Sequence, residues 1–176
     1  MSSEPVSSFF LQLGGTLIGA FVGFGLIILW DRKKKKAERK ERRNMIIDSL
    51  VAEMEENFEG LNNFQTPVWN VKNGQFTGRF GLTSISAFQS IVNGGDFIVL
   101  PNTLQEPIRT IYQNAELFNK FMNEIIGFST FNLTGDQSSI ATTELLRRLQ
   151  ERRSELQTSL PDTIKELRAL KEESFT

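Results

Sequence analysis

The sequence predicts a mainly α protein. One N-terminal transmembrane helix is followed by an antiparallel bundle of three long helices and one short one, with a small loop or hairpin insertion. Three observations predict it: one uninterrupted apolar run, a strongly basic stretch directly after it, and apolar residues recurring at steps of three and four through the rest. The 176 residues carry 20 Lys and Arg against 21 Asp and Glu, a net charge of −1. That near-balance argues against a nucleic-acid binder, whose footprint is a basic excess. There is no Cys and no His, which excludes disulfides, thiolate nucleophiles, imidazole bases and His or Cys metal sites.

Residues 1–8 form a short N-terminus without Lys or Arg, and Phe9 to Trp30 is the expected span. Of those 22 residues, 15 are apolar and five are Gly; only Gln12 and Thr16 are polar. At about 1.5 Å per residue such a helix covers roughly 33 Å, enough for a hydrocarbon core of about 30 Å. A cleaved signal peptide would carry its positive charges ahead of a shorter apolar stretch, and here they follow a longer one. A core helix this uniformly apolar is out of place in so small a domain.

Residues 31–44 form a basic juxtamembrane segment that continues into the first bundle helix. Asp31 to Arg43 holds nine Lys and Arg against three acids, net +6, whereas Asn44 to Thr176 is net −6. Positive flanks stay on the cytoplasmic side. The expected location is therefore the cell membrane, single-pass, with the N-terminus outside and the domain at 45–176 cytoplasmic. Trp30 fits an interfacial anchor, and Arg32, Lys33, Lys34, Lys35 and Lys36 can reach anionic lipid head groups. Within the span Gly15, Gly19 and Gly23 repeat every four residues and share one stripe. Without Cβ atoms, that stripe favours close packing on another transmembrane helix, of a second copy or of a larger membrane complex. The competing reading is chance, since Gly is common in such spans.

From Asp31 to about Phe64 the chain reads as one long helix. Its apolar face is Ile47, Leu50, Val51, Met54, Phe58, Leu61 and Phe64. Glu53, Glu55, Glu56 and Glu59 read as a solvated face rather than a metal site, because helical spacing turns neighbours apart by about 100°. Thr66 to Leu82 is broken by Pro67, Asn73-Gly74, Gly78 and Gly81; Asn-Gly suits a tight turn between Val68–Val71 and Gln75–Thr77. Trp69, Phe76 and Phe80 are either core pegs or an exposed binding patch, with core the default.

A short helix is expected at Thr83–Val92, capped by Thr83 or Ser84 and stopped by Gly94 or Gly95. Asp96–Leu100 leads to a helix opened by Pro101 and running to about Ile126, with Pro107 early in it. After the polar Gly127–Gln137, a last helix runs from about Ser138 to Lys171, kinked or interrupted at Pro161. Arg147, Arg148, Arg152 and Arg153 alternate with Glu144, Glu151 and Glu155, the pattern of a salt-laced surface.

Glu53–Asn57, Ala87–Phe88, Gly94–Asp96, Leu100–Pro101 and Tyr112 together make a pattern. It resembles a loose class of uncharacterised prokaryotic single-pass membrane proteins with an N-terminal anchor and a cytoplasmic helical domain. The resemblance implies topology and fold, and no activity. The chain has no phosphate-binding loop, no dinucleotide fingerprint and no helical carboxylate ligand motif, so no catalytic, cofactor or metal residues are expected. The expected function is a non-enzymatic membrane-anchored scaffold or accessory subunit that uses protein–protein interaction, with no small-molecule substrate identified. The alternative is a membrane-tethered sensor or effector, such as a stress or phage-defence component.

Overall fold

A computed structural model describes the backbone of residues 4–70, 75–77, 81–130 and 136–173, and the side chains of 19–68, 81–127 and 142–173. Over these residues the protein is mainly helical. Helix α1 is Glu4–Asn62, followed by strands β1 (Val68–Asn70) and β2 (Gln75–Thr77). Then come α2 (Ser86–Asn93), a 3-10 turn at Asp96–Val99, α3 (Asn102–Thr130) and α4 (Asp136–Glu172). The chain divides into two compact units, Met1–Arg42 and Arg43–Thr176.

In the first unit the helix begins at Glu4 and passes through the apolar run into the basic stretch without a break. Every residue from Phe21 to Trp30 except Gly23 and Gly25 is exposed, as is all of 31–40. Among the described residues no helix is long and apolar enough to cross a membrane. Phe9–Ile18 lie outside the residues whose side chains are described, so the anchor is carried by the sequence alone.

The second unit is built on periodic apolar faces. Ile47, Leu50, Val51, Met54, Leu61 and Phe64 are buried, with Phe58 partly so. They meet Leu104, Ile108, Ile111, Tyr112, Ala115, Phe118, Met122 and Ile125 of α3. Leu149, Leu156, Leu160, Ile164 and Leu167 of α4 complete the core. The Phe64 and Phe118 rings meet edge to face at 5.4 Å. Antiparallel α1 and α4 are tied at the surface as well. The Arg153 guanidinium donates to the Leu61 carbonyl at 3.1 Å, Arg168 pairs with Glu55, and Lys171 lies 2.5 Å from Asp48. Arg153 also covers the Phe64 ring at 5.3 Å.

The hairpin pairs Val68 with Thr77, Trp69 with Phe76 and Asn70 with Gln75. The side chains of Trp69, Phe76 and Phe80 lie outside the described residues. Two expectations need correction. The short helix starts at Ser86, not Thr83, with Ile85 at its N-cap and no side-chain cap of its own. Pro161 does not interrupt α4, which runs through it as a single α-helix. Gly95 ends the α2 region at φ +72°, the left-handed conformation that glycine adopts without strain.

Candidate functional site

Two features stand out: the exposed helix of the first unit and a polar clamp in the second.

On the first, Phe21 is 76% and Trp30 75% exposed, and Phe24, Leu26, Ile27 and Leu29 all lie open. A Cβ added to Gly19 or Gly23 would meet nothing within 4 Å, so the chain leaves both positions open to an approaching helix. Gly15 lies outside the described side chains. Arg32, Lys33 and Lys36 are exposed. Lys35 pairs with Asp31 at 2.7 Å, and Lys34 stands 3.9 Å from Glu38, both one helical turn apart. Such exposed pairs contribute a few tenths of a kcal/mol, so about the same charge remains available to an anionic surface.

The clamp was not foreseen as a unit. Thr83 and Ser84 lie between α1 and α3, ahead of α2. Asn119 of α3 accepts from the Thr83 N–H at 2.8 Å and donates to the Thr83 carbonyl at 2.8 Å. Asn57 of α1 does the same to Ser84, at 2.6 and 2.7 Å. An amide side chain carries one acceptor and two donors, so it can stand in for a neighbouring strand. Successive residues are thereby held from opposite sides. The Thr83 hydroxyl turns to α3, 3.2 Å from the Ala115 carbonyl and 3.0 Å from Asn119 Oδ1.

Glu53 finishes the clamp. One carboxylate oxygen accepts from the Ser84 hydroxyl (2.9 Å), the Ser86 hydroxyl (3.1 Å) and the Ala87 N–H (2.7 Å). The other accepts from the Phe88 N–H at 3.3 Å. A residue 33 positions away from Ser86 thus caps α2, satisfying amides that a helix leaves open at its start. Glu53 is only 6% exposed, which corrects the expectation of a solvated acidic face at this position. Burial pushes its carboxyl up, but hydrogen bonds led by the Ala87 amide outweigh that and hold it below the ordinary range.

Behind the carboxylate stands Tyr112, 1% exposed. Its hydroxyl ends beside Glu53 but has no partner at hydrogen-bonding geometry. Burial and the Glu53 charge push the phenol well above its ordinary value, so it stays neutral. Phe88 stacks on the Tyr112 ring at 4.2 Å and meets Phe97 edge-on at 5.5 Å, and Arg109 lies over Phe97 at 5.9 Å.

Beside the clamp, a partly open cavity of about 150 Å³ is lined by Asn57, Gly60, Phe64, Gly81 and Thr83 among others. An open groove runs past Ile85 along Glu116, Lys120 and Glu124 of α3. Among the described residues no group of three or more acidic side chains could hold a metal ion. The basic cluster on α4 is salt-laced as expected: Arg147 and Arg148 share Glu144, and Arg152 reaches Glu155 at 2.5 Å. Arg152 also donates to Asn114 of α3 at 3.1 Å, so part of this surface joins helices rather than facing solvent alone.

Glu53, Asn57, Ala87, Phe88 and Tyr112, which stood in the sequence pattern, all meet in this clamp. The spacing of Glu53 and Asn57, one helical turn apart, was the signal available; their partners more than 25 residues downstream were not. No protein-family model matches the chain, and no curated protein and no solved structure is similar to it.

Proposed function

We propose that the chain is a membrane-anchored, non-enzymatic scaffold or accessory subunit. Phe9–Trp30 lies in the bilayer, with Trp30 at the interface and Arg32–Lys36 among anionic head groups. The Gly15, Gly19, Gly23 stripe packs on another transmembrane helix, and the bundle presents a docking surface in the cytoplasm.

One observation carries this reading: Phe21 to Trp30 expose eight large apolar side chains, interrupted only by Gly23 and Gly25, directly before a helix segment of net charge +6. Exposed apolar area costs about 25 cal/mol per Å² in water, and a contiguous patch of this kind marks a surface that something apolar covers. The basic run at one end supports lipid as that cover, since anionic head groups attract clustered Lys and Arg.

Alkaline carbonate extraction of membranes from cells making the full chain tests the anchor. The protein should stay with the membrane pellet, and protease added to intact cells should spare the bundle. Release into the carbonate supernatant would refute the anchor; digestion of the bundle in intact cells would refute the orientation.

A further inference from the structure

We infer that Thr83–Val99, the clamped segment with α2 and the 3-10 turn, is a detachable arm that opens from α1 and α3 as one unit while the three long helices stay folded.

The arm is attached in a way the rest of the bundle is not. The long helices share an apolar core that includes Ile47, Leu50, Ile108, Phe118, Leu149 and Leu156, all at most 2% exposed. Along α2 and the 3-10 turn the arm fully buries only Ile91 and Phe97, packs Ile85, Phe88 and Val99 partly buried against the core, and leaves Ile98 81% and Val92 43% exposed. Its N-terminal end is fixed by three polar side chains that belong to other elements, Glu53, Asn57 and Asn119, and Phe88 stacks on Tyr112.

Opening is all-or-none for a local reason. A helix of eight residues is too short to persist alone, because nucleation is costly and few bonds follow it. Moreover α2 has no cap of its own, and the acceptor for its Ala87 and Phe88 amides sits on α1. Leaving Glu53 therefore removes the cap and the docking contact together, and α2 unwinds as it departs. The ends of the arm suit such motion. Gly81 has open space around it, Leu82 is exposed, and the buried Leu100 re-anchors the chain before α3. Opening uncovers Tyr112 and Glu53 on the bundle, and Phe88, Ile91 and Phe97 on the arm. The arm is thus a gate over an aromatic face that is otherwise shut.

Hydrogen exchange on the full chain in mild detergent reads this directly, because the amides of Thr83, Ser84, Ala87 and Phe88 donate to the clamp itself. They should exchange faster than the amides of Ile108–Met122 and Leu156–Leu167, through an opening short of global unfolding. Glu53→Gln weakens charge-assisted bonds and should speed the arm amides by about tenfold to a hundredfold, while the α3 and α4 amides, which need global unfolding, stay slower than the arm by the wild-type margin. Ser86→Ala removes a single exposed donor, keeps the fold, and should speed the same amides by a few-fold. The inference is overturned if arm and core amides are equally protected in the wild type. It is also overturned if Glu53→Gln leaves the arm amides as slow as in the wild type, or if arm and core amides become equally protected in either variant.

Discussion

The two parts of helix α1 make an informative pair. Residues 19–42 and 43–62 belong to one uninterrupted helix, yet they meet their surroundings in opposite ways. In the first part nearly every side chain is exposed, apolar and basic alike; in the second, Ile47, Leu50, Val51, Met54 and Leu61 are buried in a row. Helix-forming tendency is common to both. What differs is periodicity. Apolar residues at every position suit an apolar solvent on all sides, whereas apolar residues every three or four positions suit a protein core on one side.

That contrast is broken most directly by matched truncations. Phe118, 0% exposed and packed on Phe64, should cost about 3–5 kcal/mol on change to Ala, measured by denaturant unfolding of the bundle. Ile27→Ala, in the exposed part, should leave that unfolding free energy within about 0.5 kcal/mol of wild type. Equal costs at the two positions would mean that the exposed part is covered by the bundle itself.

A smaller effect separates burial of charge from exposure of charge. The folded Glu53 carboxyl sits below its ordinary value of 4.5, so the unfolded state binds more protons as pH falls through that region. The Glu53 contribution is full above about 4.5 and is lost below it as pH falls through the lowered folded-state value. In Glu53→Gln, which should lose about 1.5–3 kcal/mol at neutral pH, that portion of the acid dependence should vanish. Glu144, at the surface and held down to about 2 chiefly by hydrogen bonds from Arg147 and then Arg148, has the same sign. Being exposed, its share should weaken with salt while the Glu53 share persists. Acid titrations at low and high ionic strength, with and without Glu53→Gln, would show whether the two separate.

Least costly to folding, and most specific to the first part, is Gly19→Leu. It should leave membrane insertion intact, since Leu is favourable in lipid, and reduce the size of the complex in mild detergent. An unchanged complex would shift assembly to the bundle.

Much of this contrast was legible in the sequence. Local signals sufficed for the long helices, because a face repeating at three and four is a property of consecutive residues: Ile47, Leu50 and Met54 announce themselves. The Asn-Gly signal between Val68–Val71 and Gln75–Thr77 announces the pairing of β1 with β2 similarly, and Gly94 or Gly95 the left-handed stop, which the fold gives to Gly95. The clamp was not legible, because its logic is long-range. Glu53 looks like its neighbours Glu55 and Glu56, and only the fold places the Ser86–Phe88 helix start against it and leaves Glu56 in solvent. Thr83 and Ser84 read as caps by residue type, and they serve instead as the two successive residues that Asn119 and Asn57 grip. Polar residues with several possible uses are assigned by their partners, and the partners lie 27 to 36 residues away.

The central claim is that the exposed apolar part of α1 is covered by lipid, with Trp30 at its edge. Trp30 and Trp69 are the two tryptophans of the chain, so a Trp69→Phe background isolates the first. Fluorescence of this variant in vesicles with brominated lipids, labelled at graded acyl-chain depths, measures where the indole sits. The account predicts strong quenching that is greatest for labels nearest the head groups and weakest at the bilayer centre. Water-like emission with no quenching at any depth would contradict it.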